Sequence, residues 1–219
     1  MVGCYNARQV DKVNRSALVG ESCRKESGFS LVELIFSLVL TLVILGVAVT
    51  TFSSALGSRN RETSTTDAVT SAQAALNIVS REIGNSGYGL VTNGIVIGDS
   101  TDKKIHIRTN TNNLNAQTDG PGEDVTFYYD SASQSVVRYD LNSGVSSGVI
   151  NRVSDVDFIY YNYAPDGVST AGPAAANTGR VTVVLKVILA DIEGQSTSRV
   201  VSVNSDVSLR NSPYMLGQY

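Results

Sequence analysis

Arg24-Lys25-Glu26-Ser27-Gly28-Phe29-Ser30-Leu31-Val32-Glu33 leads directly into Leu34 to Ser58, 25 residues without a charge. At about 1.5 Å rise per helical residue this run outreaches the roughly 30 Å hydrocarbon core of a bilayer, so it predicts one membrane-spanning helix. Arg24 and Lys25 stand just before the run, and the positive-inside rule then places the N-terminus in the cytoplasm and everything after Ser58 across the membrane. A secretory signal has a shorter apolar region of about 7 to 15 residues followed by a small-residue cleavage site, and neither feature fits here. Glu33 is out of place in a plain anchor. An acidic side chain within a span costs roughly 2.5 to 3.5 kcal/mol at the helix centre and less near an end, and it is normally kept for a cationic partner. The plain-anchor reading treats Glu33 as a first-turn carboxylate favoured by the helix dipole, with Ser30 as the cap.

These residues resemble the class III signal of type IV pilins and type II secretion pseudopilins: Gly28-Phe29, three residues, then Glu33, ahead of an apolar stretch and behind a basic leader. The resemblance implies that a prepilin peptidase cuts between Gly28 and Phe29 on the cytoplasmic side and N-methylates Phe29. It also implies that Glu33 pairs with the N-terminal amine of a neighbouring subunit during assembly. A buried carboxylate is tolerated where a cation neutralises it, so the implied role agrees with the electrostatics.

The composition fits an exported protein that does not depend on disulfides. Both cysteines, Cys4 and Cys23, lie in the leader, and the 191 residues after Gly28 carry 12 Lys and Arg against 17 Asp and Glu, a formal charge of −5. That balance gives no support to a general nucleic-acid binder. Residues 1–28 contain no apolar block and read as a polar cytoplasmic leader.

Beyond Ser58 a helical stripe returns: Val69, Ala72, Leu76, Val79 and Ile83 step by three or four residues, which predicts an amphipathic helix with a β-sheet behind it. An unbroken helix from Phe29 to Ile83 would be about 80 Å long. Gly84 is placed as its C-terminal cap, and Gly46 and Gly57 are the positions at which it would loosen. No proline interrupts Phe29 to Tyr88. Major pilins often carry one there, so its absence points away from the bulk filament subunit.

After Gly89 the period changes to two. Gly94–Ile97, Lys104–Arg108, Val125–Tyr129, Ser135–Tyr139 and Val156–Tyr161 read as strands, with a hairpin at Asp130–Gln134. Arg180–Ala190 and Thr197–Leu209 flank a second turn, Asp191-Ile192-Glu193-Gly194-Gln195. The loops Asn110–Gly122 and Pro165–Gly179 are low in apolar residues and read as mobile surface.

The resulting fold class is α+β, a long N-terminal helix on a mainly antiparallel β head, as in pilins. Its divisions are a removed leader 1–28, a transmembrane and assembly helix 29–58, an amphipathic helix 59–86 and a β-rich head 87–219. The segment Ala74 to Leu90, with Arg81-Glu82-Ile83 and Gly87-Tyr88-Gly89, is most similar to the PilW group of minor pilins and next to the GspJ group of minor pseudopilins. The PilW resemblance implies a subunit that joins other minor and major pilins to prime assembly and sits at the filament tip. Its implied partners are the prepilin peptidase, those pilins, the inner-membrane assembly platform and the lipid bilayer. The implied route runs from a single-pass position in the bacterial inner membrane to the periplasm and a surface pilus. A pseudopilin, or a surface-binding module on a pilin stem, are the alternatives.

Enzyme chemistry has little to build on. His106 is the one histidine, and no cysteine or tryptophan follows the leader. Lys104, His106 and Arg108 share a strand face, which reads as a basic solvent face and alternatively as a contact for an anionic polymer. Asp119, Glu123 and Asp124 offer oxygen ligands of the kind calcium takes, but EF-hand spacing is missing and a solvated acidic turn is expected. Tyr160-Tyr161-Asn162-Tyr163 reads as an alternating strand with a tyrosine edge rather than an adhesive patch. No cofactor and no metal are expected.

Overall fold

The computed structural model describes residues 28–112, 117–189 and 199–216. The leader before Gly28 and the turn at 191–195 lie outside the described residues. One α-helix, α1 (Leu31–Gly84), carries both the apolar run and the amphipathic stripe, and it continues through Gly46 and Gly57 without a break. Ser37, Thr41, Thr50 and Thr51 return their hydroxyls to helix carbonyls three or four residues back, at 2.7–3.0 Å. These four hydroxyls are thus satisfied without water, as suits a span.

By its internal contacts the chain divides into two units, which meet between Thr51 and Phe52. In the second unit eight strands follow: β1 (Lys104–Arg108), β2 (Asp124–Asp130), β3 (Ser135–Asp140), β4 (Val145–Ile150), β5 (Val153–Tyr163), β6 (Ser169–Gly172), β7 (Thr178–Ile188) and β8 (Val200–Ser208), then a short helix α2 (Pro213–Leu216). They form two antiparallel four-stranded sheets, ordered β1-β2-β3-β4 and β6-β5-β7-β8. The architecture is α+β, with two sheets where one was expected.

The core lies where the stripe of α1 meets both sheets. Ala72, Ala75, Leu76, Val79 and Ile83 are buried with Ile105, Val125 and Phe127 of the first sheet and Val156, Phe158 and Val183 of the second. Each of the Leu, Ile, Val and Phe side chains contributes roughly 1.5 to 3 kcal/mol when fully buried, and the two alanines less. The phenol of Tyr160 ties the sheets together by donating to the carbonyls of Thr101 and Lys104, at 2.8 and 3.0 Å. At the rim of this core, Arg138 Nε donates to both carboxylate oxygens of Glu82 on α1, at 2.9 and 3.0 Å.

Several expectations are corrected. Gly84 is the last residue of α1 rather than a left-handed cap; the positive φ angles fall on Gly87, Gly89 and Gly94 in the loop that follows. Gly94–Ile97 is not a strand. Ile95 makes a single bridge to Ile107, and Ile97–Asp99 closes a 3-10 turn that brings Asp99 toward β1. Pro165–Gly179 is not an unstructured loop, because β6 within it pairs with β5 through four residues. Strand β4, Val-Ser-Ser-Gly-Val-Ile, has mostly small residues and four exposed positions, which leaves no apolar alternation to read.

Candidate functional site

Gly28, Phe29 and Ser30 precede α1 outside any regular element, and the Ser30 carbonyl accepts the first helical bond, from Leu34 N–H at 3.1 Å. Phe29 is 81% exposed and Glu33 sits in the first turn of α1. No described residue forms an ion pair with Glu33. From Leu31 to Leu56 the apolar side chains stand exposed on every side of the helix: Leu34, Phe36, Leu38, Val43, Ile44 and Phe52 are all more than half exposed. A helix apolar all round is made for lipid or for the flanks of other helices rather than for one side of a soluble core. It is also long and apolar enough to cross a membrane.

In the head, the one histidine is not on a free basic face. His106 is 7% exposed; Nδ1 meets Asp99 Oδ2 at 2.9 Å and Nε2 meets a carboxylate oxygen of Asp124. Arg108 Nε donates to the other Asp124 oxygen at 2.8 Å, and Lys104 pairs with Asp99. The stripe read as basic is therefore interleaved with two carboxylates, supplied by the cross-strand partner of Arg108 and by the 3-10 turn. The Lys104 hydrogen bond, with help from His106, holds the Asp99 carboxyl below its ordinary value against the opposing effect of burial. With a carboxylate on each side, neither imidazole nitrogen is left to take a proton from a nucleophile, so the arrangement does not build a Ser-His-Asp site.

The acidic turn is corrected in part: Asp119 and Pro121 are exposed, as a solvated turn would have them, but Glu123 and Asp124 are buried. Glu123 is 1% exposed, and its carboxylate accepts from Thr111 Oγ1 at 3.1 Å, Asn112 N–H at 2.9 Å and Gly120 N–H at 2.8 Å. The Asn112 N–H is the chief influence holding the Glu123 carboxyl below its ordinary value, against burial. Its oxygens organise the loop, and Asp124 is committed to His106 and Arg108. Among the described residues no group of acidic, histidine or cysteine side chains is arranged to hold a metal ion.

Sequence reasoning missed Asn93. This side chain, 2% exposed, donates from Nδ2 to the carbonyls of Ala175, Ala176 and Thr178 and accepts Ile95 N–H at its Oδ1. It fastens the loop leaving α1 to the start of β7. A lone asparagine between glycines reads as a turn, and nothing local announces a partner more than 80 residues away.

The family model for the prokaryotic N-terminal methylation motif matches residues 23–49. No curated protein and no solved structure gives a significant match to the chain. The motif, together with the long apolar helix that follows it, supports a type IV pilin-like protein, either a pilin or a pseudopilin. Such proteins are processed by a prepilin peptidase and anchored in a membrane before they meet other pilins.

Proposed function

We propose that the chain is a minor type IV pilin, a structural subunit that helps initiate pilus assembly and is incorporated at or near the filament tip. The observation that carries the reading is the methylation motif at residues 23–49 running into a helix exposed on all its apolar sides. In this reading residues 1–28 are a leader removed between Gly28 and Phe29, and Phe29 becomes the N-methylated terminus. Residues 29–58 form the transmembrane and assembly helix, 59–86 the amphipathic helix and 87–219 the head. The N-terminus starts in the cytoplasm, the head in the periplasm, and the assembled subunit reaches the cell surface.

Glu33 supplies the carboxylate that meets the Phe29 amine of a neighbour. A carboxylate in an apolar setting is costly alone and tolerable when paired, so the pair also sets the axial register between subunits. Glu33→Ala should leave cleavage largely intact and impair assembly, whereas a bulky residue at Gly28 should block cleavage. Normal filament numbers in a Glu33→Ala strain would remove the assembly role.

The deciding experiment is peptide mass spectrometry on sheared surface filaments and on the remaining envelope, searching for a peptide beginning at N-methylated Phe29. Its presence in the sheared fraction supports the minor pilin. Confinement to the envelope favours a type II secretion pseudopilin, and an intact leader in both fractions overturns both readings.

A further inference from the structure

The first sheet turns one face to the core and carries an open cleft on the other. Ile105, Val125 and Phe127 point inward, so period-two alternation sends Lys104, His106, Thr126 and Tyr128 outward, with Tyr139 directly opposite Thr126 on β3. There the half-buried rings of Tyr128 and Tyr139, with the exposed side chain of Leu141, enclose a cleft of about 400 Å³ above Thr126 and His106. That volume lies within the roughly 300–1,000 Å³ of ligand pockets.

Two features select an occupant. The Thr126 side chain lines the cleft on a residue 8% exposed, yet its hydroxyl makes no hydrogen bond among the described residues, and neither do the phenol hydroxyls of Tyr128 and Tyr139. The Thr126 hydroxyl itself is open to solvent at the cleft, so a hydroxyl of an occupant can take the place of water there. Charge is the second feature: Lys104 and Arg108 are offset by Asp99 and Asp124, all within the ion-paired chain through His106. The cleft thus has no charge excess with which to recruit a polyanion or a polycation. Aromatic faces, unmet hydroxyls and balanced charge suit a ring that is apolar on one face, polar at its rim and uncharged.

We propose that this cleft binds a neutral saccharide, one hexose-type ring stacked on Tyr128 and Tyr139 with its hydroxyls bonded to Thr126 and the phenols. The inference holds for a pilin or a pseudopilin and is independent of Glu33.

The test is saturation-transfer difference NMR on the full chain in a detergent without a sugar headgroup, with the methyl glycosides of glucose, galactose and N-acetylglucosamine as probes. The expected result is saturable binding of at least one probe, weakened about tenfold or more by Tyr128→Ala and measurably by Thr126→Val, which keeps the side-chain shape and removes the hydroxyl. Circular dichroism checks that each variant is folded. The proposal is overturned if no probe binds up to about 20 mM, a concentration at which even a millimolar affinity would register. It is equally overturned if binding survives both substitutions in folded protein, or if dextran sulfate binds at the cleft and the neutral glycosides do not.

Discussion

A carboxylate can be held in a protein interior without a cation if enough N–H and O–H groups face it, and Glu123 is held in that way. Thr111, Asn112 and Gly120 each donate to it, and each donor belongs to the loop that the carboxylate organises. Glu123→Gln keeps the size and replaces one acceptor oxygen by an NH₂ group. That group would face a donor already present, so the variant should lose about 1–3 kcal/mol of stability, read as a lower urea midpoint at unchanged slope. An unchanged midpoint would mean that water satisfies the loop instead. Asn93→Ala should cost a similar amount, because the carbonyls of Ala175, Ala176 and Thr178 would lose their common donor. Neither residue announces this role in the sequence. Glu123 reads there as one of three acids beside a Gly-Pro-Gly turn, and acids at turns are usually solvated. The Phe29 and Glu33 spacing was legible because both lie within five residues on one chain segment; the partners of Glu123 and Asn93 are brought together only by the fold.

Among the elements, α1 is the most legible and the loop that leaves it the least. The stripe from Ala72 to Ile83 follows a 3.6-residue period, and the structure buries those positions while leaving Ile78, on another side, 40% exposed. The exit loop from Asn85 to Val96 has no period; its shape rests on backbone bonds to β1, with Gly87 N–H donating to the Arg108 carbonyl at 2.9 Å and Arg108 N–H to the Gly94 carbonyl at 2.7 Å. Gly94 has φ +77°, and a Cβ there would stand 2.1 Å from the Gly87 nitrogen and 2.4 Å from the Arg108 carbonyl oxygen. Gly94→Ala therefore adds a steric conflict with backbone to an unfavourable dihedral and should cost more than about 2 kcal/mol. Gly98→Ala is the control, since a Cβ there meets nothing within 4 Å. Thermal melts of the two variants should separate clearly; coincident melts would show that the loop yields without cost. Strands were legible only where a period was present, as with the helix. Lys104–Arg108 and Val125–Tyr129 alternate and were found, whereas β4 lacks large apolar residues and the four-residue β6 is too short to show a period.

Across the whole molecule the ionisable groups set a stability window. Asp155 and Asp157 on β5 face Lys103 before β1 and Lys186 on β7, at 2.5–3.1 Å. Burial opposes charge on Asp155, but the hydrogen bonds from Lys103 and Lys186 outweigh it and hold that carboxyl below its ordinary 3.8. Asp157 is lowered first by Lys103, against burial. Glu123 lies below its ordinary 4.5 through the Asn112 N–H and its companions. Carboxyls depressed on folding contribute stability that is fully present above their unfolded values and is lost as pH falls through the folded ones. On the acid side, thermal stability should therefore hold above about pH 5 and decline below about pH 4. Lys186 is raised above 10.5 by Asp155 and Asp157, and Lys103 is raised by the same pair against burial. Raised amines act with the opposite sign, so their contribution is whole below 10.5 and lost as pH rises through the folded values. The two limbs should differ in salt sensitivity. Lys103 and Lys186 are 42% and 39% exposed at the side chain, and pairs that open to water are screened and worth at most about 1 kcal/mol each. Glu123 is enclosed and hydrogen-bonded by uncharged donors, so salt has little to screen there. Melting curves from pH 2 to 11 at low salt and at about 0.5 M NaCl should show the alkaline limb flatten with salt while the acid limb persists. Glu123→Gln should make the acid limb shallower at either salt concentration, leaving the part due to the other lowered carboxyls, Asp140 among them, held low against burial by N–H and hydroxyl donors. An acid limb that vanishes in salt in the unaltered chain would transfer the acid sensitivity from Glu123 to the exposed quartet.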